Sequence, residues 1–154
     1  MHEIGSAERP RVTVAAVVER DGRFLLVRER AQNGDLVINQ PAGHLEAGES
    51  LVEAVIRETR EETGWKFVPK ALVGVYLWQH PTQIKGFVRF ALCGAVTHRD
   101  EHPRLDEGIE EVVWLSADEL AAEAHSLRSP LVMRGIRDYL NGERFPLTVL
   151  KNVV

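Results

Sequence analysis

The sequence predicts an α+β fold, and three observations carry that prediction. Short valine-rich apolar runs recur along the chain, a few helices are marked by capping residues, and the two kinds of element do not alternate as regular βαβ units. Val12 to Val18 is a continuous apolar run, too short for a typical helix, and reads as a buried strand. Asp21-Gly22 is a turn signal, and Phe24 to Val27 begins the second arm of a hairpin. After the polar loop Ala31 to Asp35, Leu36 to Ile38 is a short strand that delivers Gln40-Pro41-Ala42-Gly43.

Ser50 and Glu53 form an S-x-x-E capping box that sets the start of a helix. Val52, Val55, Ile56 and Thr59 follow at i, i+3, i+4 and i+7 as its buried stripe, and Gly64 is placed as the left-handed cap. Glu58, Glu61 and Glu62 are left on the flank beside that stripe. Leu72 to Trp78 and Phe87 to Val96 are the next strands, separated by the loop Gln79 to Gly86, and Glu110 to Leu115 is another. Ser116 with Glu119 repeats the capping box and opens a short helix through Ala124. Ser129-Pro130 opens a last helix that reaches Asn141-Gly142.

At 154 residues, with 44% hydrophobic and 27% charged residues, the composition is that of an ordinary soluble domain. With no internal repeat, low-complexity tract or linker, residues 1–154 are read as one domain. A net charge of -4 gives no field for a polyanion, which argues against nucleic acid as partner. The single cysteine, Cys93, excludes an intrachain disulfide and reads as a buried strand residue. No apolar run is long enough to span a bilayer and the first residues carry no signal-peptide core, so a cytoplasmic protein without membrane contact is expected.

Residues 43 to 65 carry the chemistry: Gly43, Glu49, Arg57-Glu58, Glu61-Glu62 and Gly64 form one spaced set. The carboxylates at 58, 61 and 62 follow i, i+3, i+4 and share one side of a helix. Oxygens gathered this closely repel one another unless a hard cation sits among them, and Mg²⁺ prefers such ligands. Mg²⁺ or Mn²⁺ on a loop–helix unit is suited to holding a di- or triphosphate. The pattern G-x5-E-x7-R-E-U-x-E-E-x-G-U, with U a bulky apolar residue, is met at every fixed position and at one of its two U positions. It resembles the Nudix box, which marks hydrolases of nucleoside diphosphates linked to another moiety. The departure is Thr59, where the family usually has an aliphatic residue; it bears on packing rather than chemistry.

The resemblance implies a Nudix fold, a mixed β-sheet sandwiched between α-helices, with its core at about residues 11–142. It makes Glu61 and Glu62 divalent-metal ligands and Glu58 a third ligand or the general base. Glu49 takes a place in the metal shell, while as a plain helix residue it would favour the helix dipole. Arg57 holds a box glutamate in its productive rotamer. Gly43 lets the backbone approach phosphate or metal, Gln40 stands with it at the substrate, and the carbonyl of Ala42 is a further metal ligand. Another carboxylate outside the box is expected among Asp106, Glu107, Glu110 and Glu111, with Glu107 chosen by its distance ahead of Trp114. Trp78 is placed where its ring stacks on a base, and His80 reads as an exposed loop imidazole.

The segments Asn39 to Glu46 and Ser126 to Val132 resemble a phosphatase subgroup of the family, in which Arg128 would be a phosphate or substrate contact. That subgroup releases orthophosphate from nucleoside di- and triphosphates and from hydroxymethylpyrimidine diphosphate. The leading expectation is therefore a Mg²⁺-dependent phosphohydrolase of small di- or triphosphates, acting as monomer or homodimer. Two alternatives stand beside it: an ADP-ribose or nucleotide-sugar pyrophosphatase, and a non-catalytic nucleotide sensor.

Overall fold

The computed structural model describes residues 9–153. In chain order the elements are β1 (Arg11–Arg20), β2 (Arg23–Arg30), β3 (Leu36–Asn39), β4 (Ala42–His44), α1 (Leu51–Thr63), β5 (Trp65–Gln79) and β6 (Gly86–Arg99). They are followed by β7 (Ile109–Leu115), α2 (Ala117–Ala122) and α3 (Pro130–Leu140), with 3₁₀ turns at Ala124–Ser126 and Leu147–Val149. The sheet is mixed, as expected: β1 runs parallel to β6, and the other pairings are antiparallel.

One feature of the sheet positions the site. β1 and β2 pair only at the hairpin end, Glu19 with Phe24 and Arg20 with Arg23. The turn there holds Asp21 at φ 53° and Gly22 at φ 78°, the left-handed pair that suits a tight hairpin. Beyond it the strands part: β1 continues with β4 and β6, while β2 continues with β3 and β7. The segment crossing this gap is Asn39 to Gly43.

Alternate residues of β1 face two cores, as the two-residue period of a strand requires. Val14, Ala16 and Val18 pack with Ala54 and Val55 of α1 and Leu92 of β6. Val17 packs on the other side with Phe24, Leu26 and Ile38, and with Leu120, Val132 and Ile136 from α2 and α3. Each such fully buried aliphatic side chain contributes about 1.5–3 kcal/mol. The tail folds back rather than standing free: Phe145 exchanges two backbone hydrogen bonds of 2.8 Å with Leu72, and Leu147 and Leu150 pack on the α1-side core.

Several expectations are corrected. β4 was expected as loop; its three residues are too few to show a period, and pairing with β1 makes them a strand. β5 begins at Trp65, not Leu72, because irregularities at Trp65/Phe67, Pro69/Ala71 and Leu72/Gly74 break the alternation that marks a strand. α2 stops at Ala122. On α1 the buried residues are Ala54, Val55, Glu58, Thr59, Glu62 and Thr63, whereas Val52 and Ile56 are half-buried. Two of the three carboxylates thus lie on the buried face itself, not on its flank. Thr59 is accommodated because its hydroxyl donates to the Val55 carbonyl at 2.7 Å.

The capping box at the start of α1 is complete: Glu53 N–H donates to Ser50 Oγ at 3.0 Å and Ser50 N–H to Glu53 Oε1 at 2.9 Å. Ser50→Ala should lower stability by about 1 kcal/mol in denaturant titration. An unchanged midpoint would mean that packing alone sets where the helix begins.

Candidate active site

α1 turns Glu58 and Glu62 toward β4, one helical turn apart and almost fully buried, at 9% and 8% exposure. Glu62 Oε1 accepts the Ala42 backbone N–H at 2.9 Å. Glu58 lies so close to Gly43 that a Cβ there would overlap its carboxyl group, which is the steric reason for glycine at this position. β4 is fixed in turn by β1, with Val14 opposite Gly43 and Ala15 opposite Ala42. A third carboxylate arrives from the loop before β7. Asp106 N–H donates to the Glu61 carbonyl at 2.9 Å, tying that loop to the end of α1. Glu58, Glu62 and Asp106 each bring an oxygen to within 4.8 Å of the other two.

Burial makes three negative charges here unfavourable. It pushes Glu62 up to about 9, outweighing the Ala42 N–H that favours its charged form. Glu58 is raised by burial against the pull of Arg57, and Asp106 is raised by burial and by the Glu61 charge. Among the described residues Glu62 has no ion-pair partner. Hard oxygen donors whose negative charge the site disfavours fit a divalent cation, which would supply the missing positive charge.

Arg57 ties the rest together. Its Nε and Nη2 donate to both oxygens of Glu49 at 3.0 and 2.7 Å, and its Nη2 reaches the His44 carbonyl at 3.1 Å. Its Nη1 donates to Glu58 and Glu61, each at 2.7 Å. Its acidity is weakened further by these partners, Glu49 first. Glu49 also accepts the Glu46 N–H at 2.9 Å, so it fastens the loop ahead of α1.

The structure brings together some of the expected residues and separates others. Glu58 and Glu62 meet, with Glu61 alongside but half-open and paired to Arg57. Ala42 engages Glu62 through its N–H. Of the four outer carboxylates it is Asp106 that joins the cluster. Glu107 lies outside it, although Asp106 is as open to solvent, while Glu110 and Glu111 pair with Arg30 and Arg28 at 3.3 Å. Gln40 is buried with both ends engaged: its Nε2 donates to the Val132 carbonyl at 2.8 Å and its Oε1 accepts from Arg89 at 2.7 Å. Trp78 stacks on Phe87 with centroids 5.8 Å apart and lines a groove of about 550 Å³ with Tyr76, Leu127 and Leu131, which none of the clustered carboxylates borders. Arg128 reaches Glu29 at 3.4 Å. Sequence reasoning passed over Arg89, a buried guanidinium on β6; its signal was a lone charge inside the apolar run Phe87 to Cys93.

Two buried carboxylates of a box helix, met by an exposed third beneath a split mixed sheet, define a class, and comparison with known proteins agrees. The NUDIX domain family matches residues 8–134, and the chain belongs to that family as a Nudix hydrolase. Among curated proteins it is similar to Phosphatase NudJ of Escherichia coli strain K12, with 42% identity over 142 residues covering 92% of this chain and 91% of that one. Among solved structures, a NUDIX hydrolase from Nitrosomonas europaea superposes with a TM-score of 0.92 at 44% identity, over 94% of this chain and 98% of that one. A UDP-X diphosphatase shares the fold alone, with a TM-score of 0.71 at 22% identity over 90% of this chain and 66% of that one.

A carboxyl group raised on folding binds more protons in the native state than in the unfolded one, so stability falls as pH rises. In the presence of a chelator, Tm should decline between the ordinary glutamate value of 4.5 and about 9, and Glu62→Gln should flatten much of that decline. A variant that tracks the native profile would show that Glu62 is charged throughout.

Proposed function

We propose that this chain is a Mg²⁺-dependent phosphohydrolase, with Mn²⁺ able to serve, that releases orthophosphate from small di- or triphosphates. Nucleoside di- and triphosphates and hydroxymethylpyrimidine diphosphate are the proposed substrates. The observation that carries the chemistry is the convergence of Glu58, Glu62 and Asp106 in a site that disfavours their charge. Similarity to Phosphatase NudJ across nearly the whole of both chains supports release of a terminal phosphate.

Phosphoryl transfer requires charge neutralised on the non-bridging oxygens, an aligned water and a base for it. A divalent cation, when bound, supplies the neutralising charge. Glu58, Glu62 and Asp106 are the proposed ligands, with Glu61 beside Asp106 as a further one. Arg57 keeps Glu58 and Glu61 in fixed rotamers and Glu49 anchors Arg57, so these act on the site by positioning. Gly43 leaves the backbone open to close approach. A carboxylate of the cluster takes the proton of the attacking water. The net charge of -4 supports small diffusible substrates over nucleic acid.

Orthophosphate release is measured with Mg²⁺ against CTP, GDP, hydroxymethylpyrimidine diphosphate, ADP-ribose and a nucleotide sugar. Metal-dependent orthophosphate from the first three, reduced by about a hundredfold or more in Glu62→Gln, is the expected result. Cleavage confined to ADP-ribose or the nucleotide sugar would keep the site and overturn the substrate class. In the same assay Asp106→Asn should slow turnover far more than Glu107→Gln; the reverse order would remove Asp106 from the ligand set.

A further inference from the structure

Arg89 is the most unusual cation of the fold. It is 6% exposed, and among the described residues no carboxylate lies within ion-pair distance. Its Nη2 donates to two neutral acceptors, Asn39 Oδ1 at 3.1 Å and Gln40 Oε1 at 2.7 Å. A guanidinium has five N–H donors. Nε and Nη1 have no protein acceptor among the described residues, yet no side-chain nitrogen there is both fully buried and unsatisfied, so these donors keep some access to solvent. The nearby carboxylate Glu29 is engaged elsewhere, accepting from Asn39 Nδ2 at 3.1 Å and pairing with Arg128 at 3.4 Å.

The surroundings of these donors are aromatic and carry both signs of charge, with Glu29 and Glu62 the opposite charges that act on Arg89. Strand register places His44, Thr13, Arg89 and Tyr76 in one row across β4, β1, β6 and β5, with their side chains on the same face. The row two residues along is Arg11, Phe87 and Trp78. Arg11 and Arg128 lie close enough to oppose protonation of His44, and Arg128 opposes that of Arg89. Arg11, His44, Arg89 and Arg128 thus converge beside the carboxylate cluster. Glu29 and Glu62 favour the Arg89 charge from beyond contact but do not outweigh its burial, and an anion meeting its free donors would offset the remaining cost.

We propose that Arg89 is an anion subsite, which binds through Nε and Nη1 a phosphate of the substrate other than the one transferred. The inference rests on the phosphohydrolase reading for its substrate: the reacting phosphate belongs to the carboxylate cluster, so Arg89 holds one that stays with the leaving group. Arg89 selects substrates with a second phosphate, and the neighbouring Trp78–Phe87 stack offers a ring surface to the remainder.

Binding and turnover test this separately. Inorganic pyrophosphate, in chelator and without divalent metal, should raise the Tm of the native protein and of Glu61→Gln, but not of Arg89→Gln. In steady-state kinetics with GDP, Arg89→Gln should raise KM by about tenfold or more while kcat changes by less than about threefold. Arg89→Lys, which keeps the charge with fewer donors, should fall between. No pyrophosphate shift in the native protein, or an Arg89→Gln variant with native KM, would overturn the proposal. So would loss of kcat at constant KM, the mark of Arg89 merely bracing Gln40 and α3. A pyrophosphate shift that requires Arg89 in a protein without orthophosphate release would leave the subsite standing and reject the phosphohydrolase reading.

Discussion

Negative charge held away from water is the constraint around which this molecule is arranged. Two carboxylates of α1, Glu58 and Glu62, are placed where hydrophobic side chains would ordinarily go, and Asp106 closes on them from a distant loop. Nothing in a buried site relieves such repulsion except protons, a cation or a guanidinium. Arg57 supplies part of the answer for Glu58 and Glu61, and its remaining donors hold Glu49 and the His44 carbonyl. One side chain therefore couples the helix, the loop before it and β4. Glu62 is left to burial and a single backbone N–H, and burial prevails, raising it to about 9.

The backbone makes room for this arrangement by letting β1 and β2 part after the hairpin. Had they stayed paired, the segment Asn39 to Gly43 would have no gap to cross, and α1 would face a continuous apolar sheet. Across the gap, Pro41 accepts the Ala16 N–H at 2.9 Å and Leu45 donates to Val12 at 3.1 Å, so the crossing is pinned at both ends. Pinning explains how a three-residue strand can position the clustered carboxylates. A side chain on Gly43 would displace the Glu58 carboxyl group from the place it takes beneath the crossing. Arg57 stands among the carboxylates on the α1 side of the crossing, while Arg89 bonds Gln40 on the α3 side.

The local features were legible in the sequence because their causes are local. Both capping boxes, the left-handed Gly64, the Asp21-Gly22 turn and the i, i+3, i+4 spacing of the box carboxylates depend on residues within a few positions of one another. The family followed from the same short stretch. Which carboxylates are buried, however, depended on which helix face met β4. Of the expected stripe Val52, Val55, Ile56 and Thr59, Val55 and Thr59 are buried, but the buried face is shifted to take in Ala54, Glu58 and Glu62 in place of Val52 and Ile56.

By itself, then, the sequence determined most of the elements, the α+β class, the Nudix box and the spacing of its carboxylates, all of which arise from neighbours along the chain. Only the tertiary structure decided that Asp106 rather than Glu107 completes the cluster, that Gln40 braces α3, and that Arg89 stands without an acidic partner. Those outcomes rest on contacts between residues dozens of positions apart. In a loop without periodicity, such as Glu101 to Gly108, nothing local sets which side chain turns inward; the Asp106 N–H bonded to the Glu61 carbonyl does.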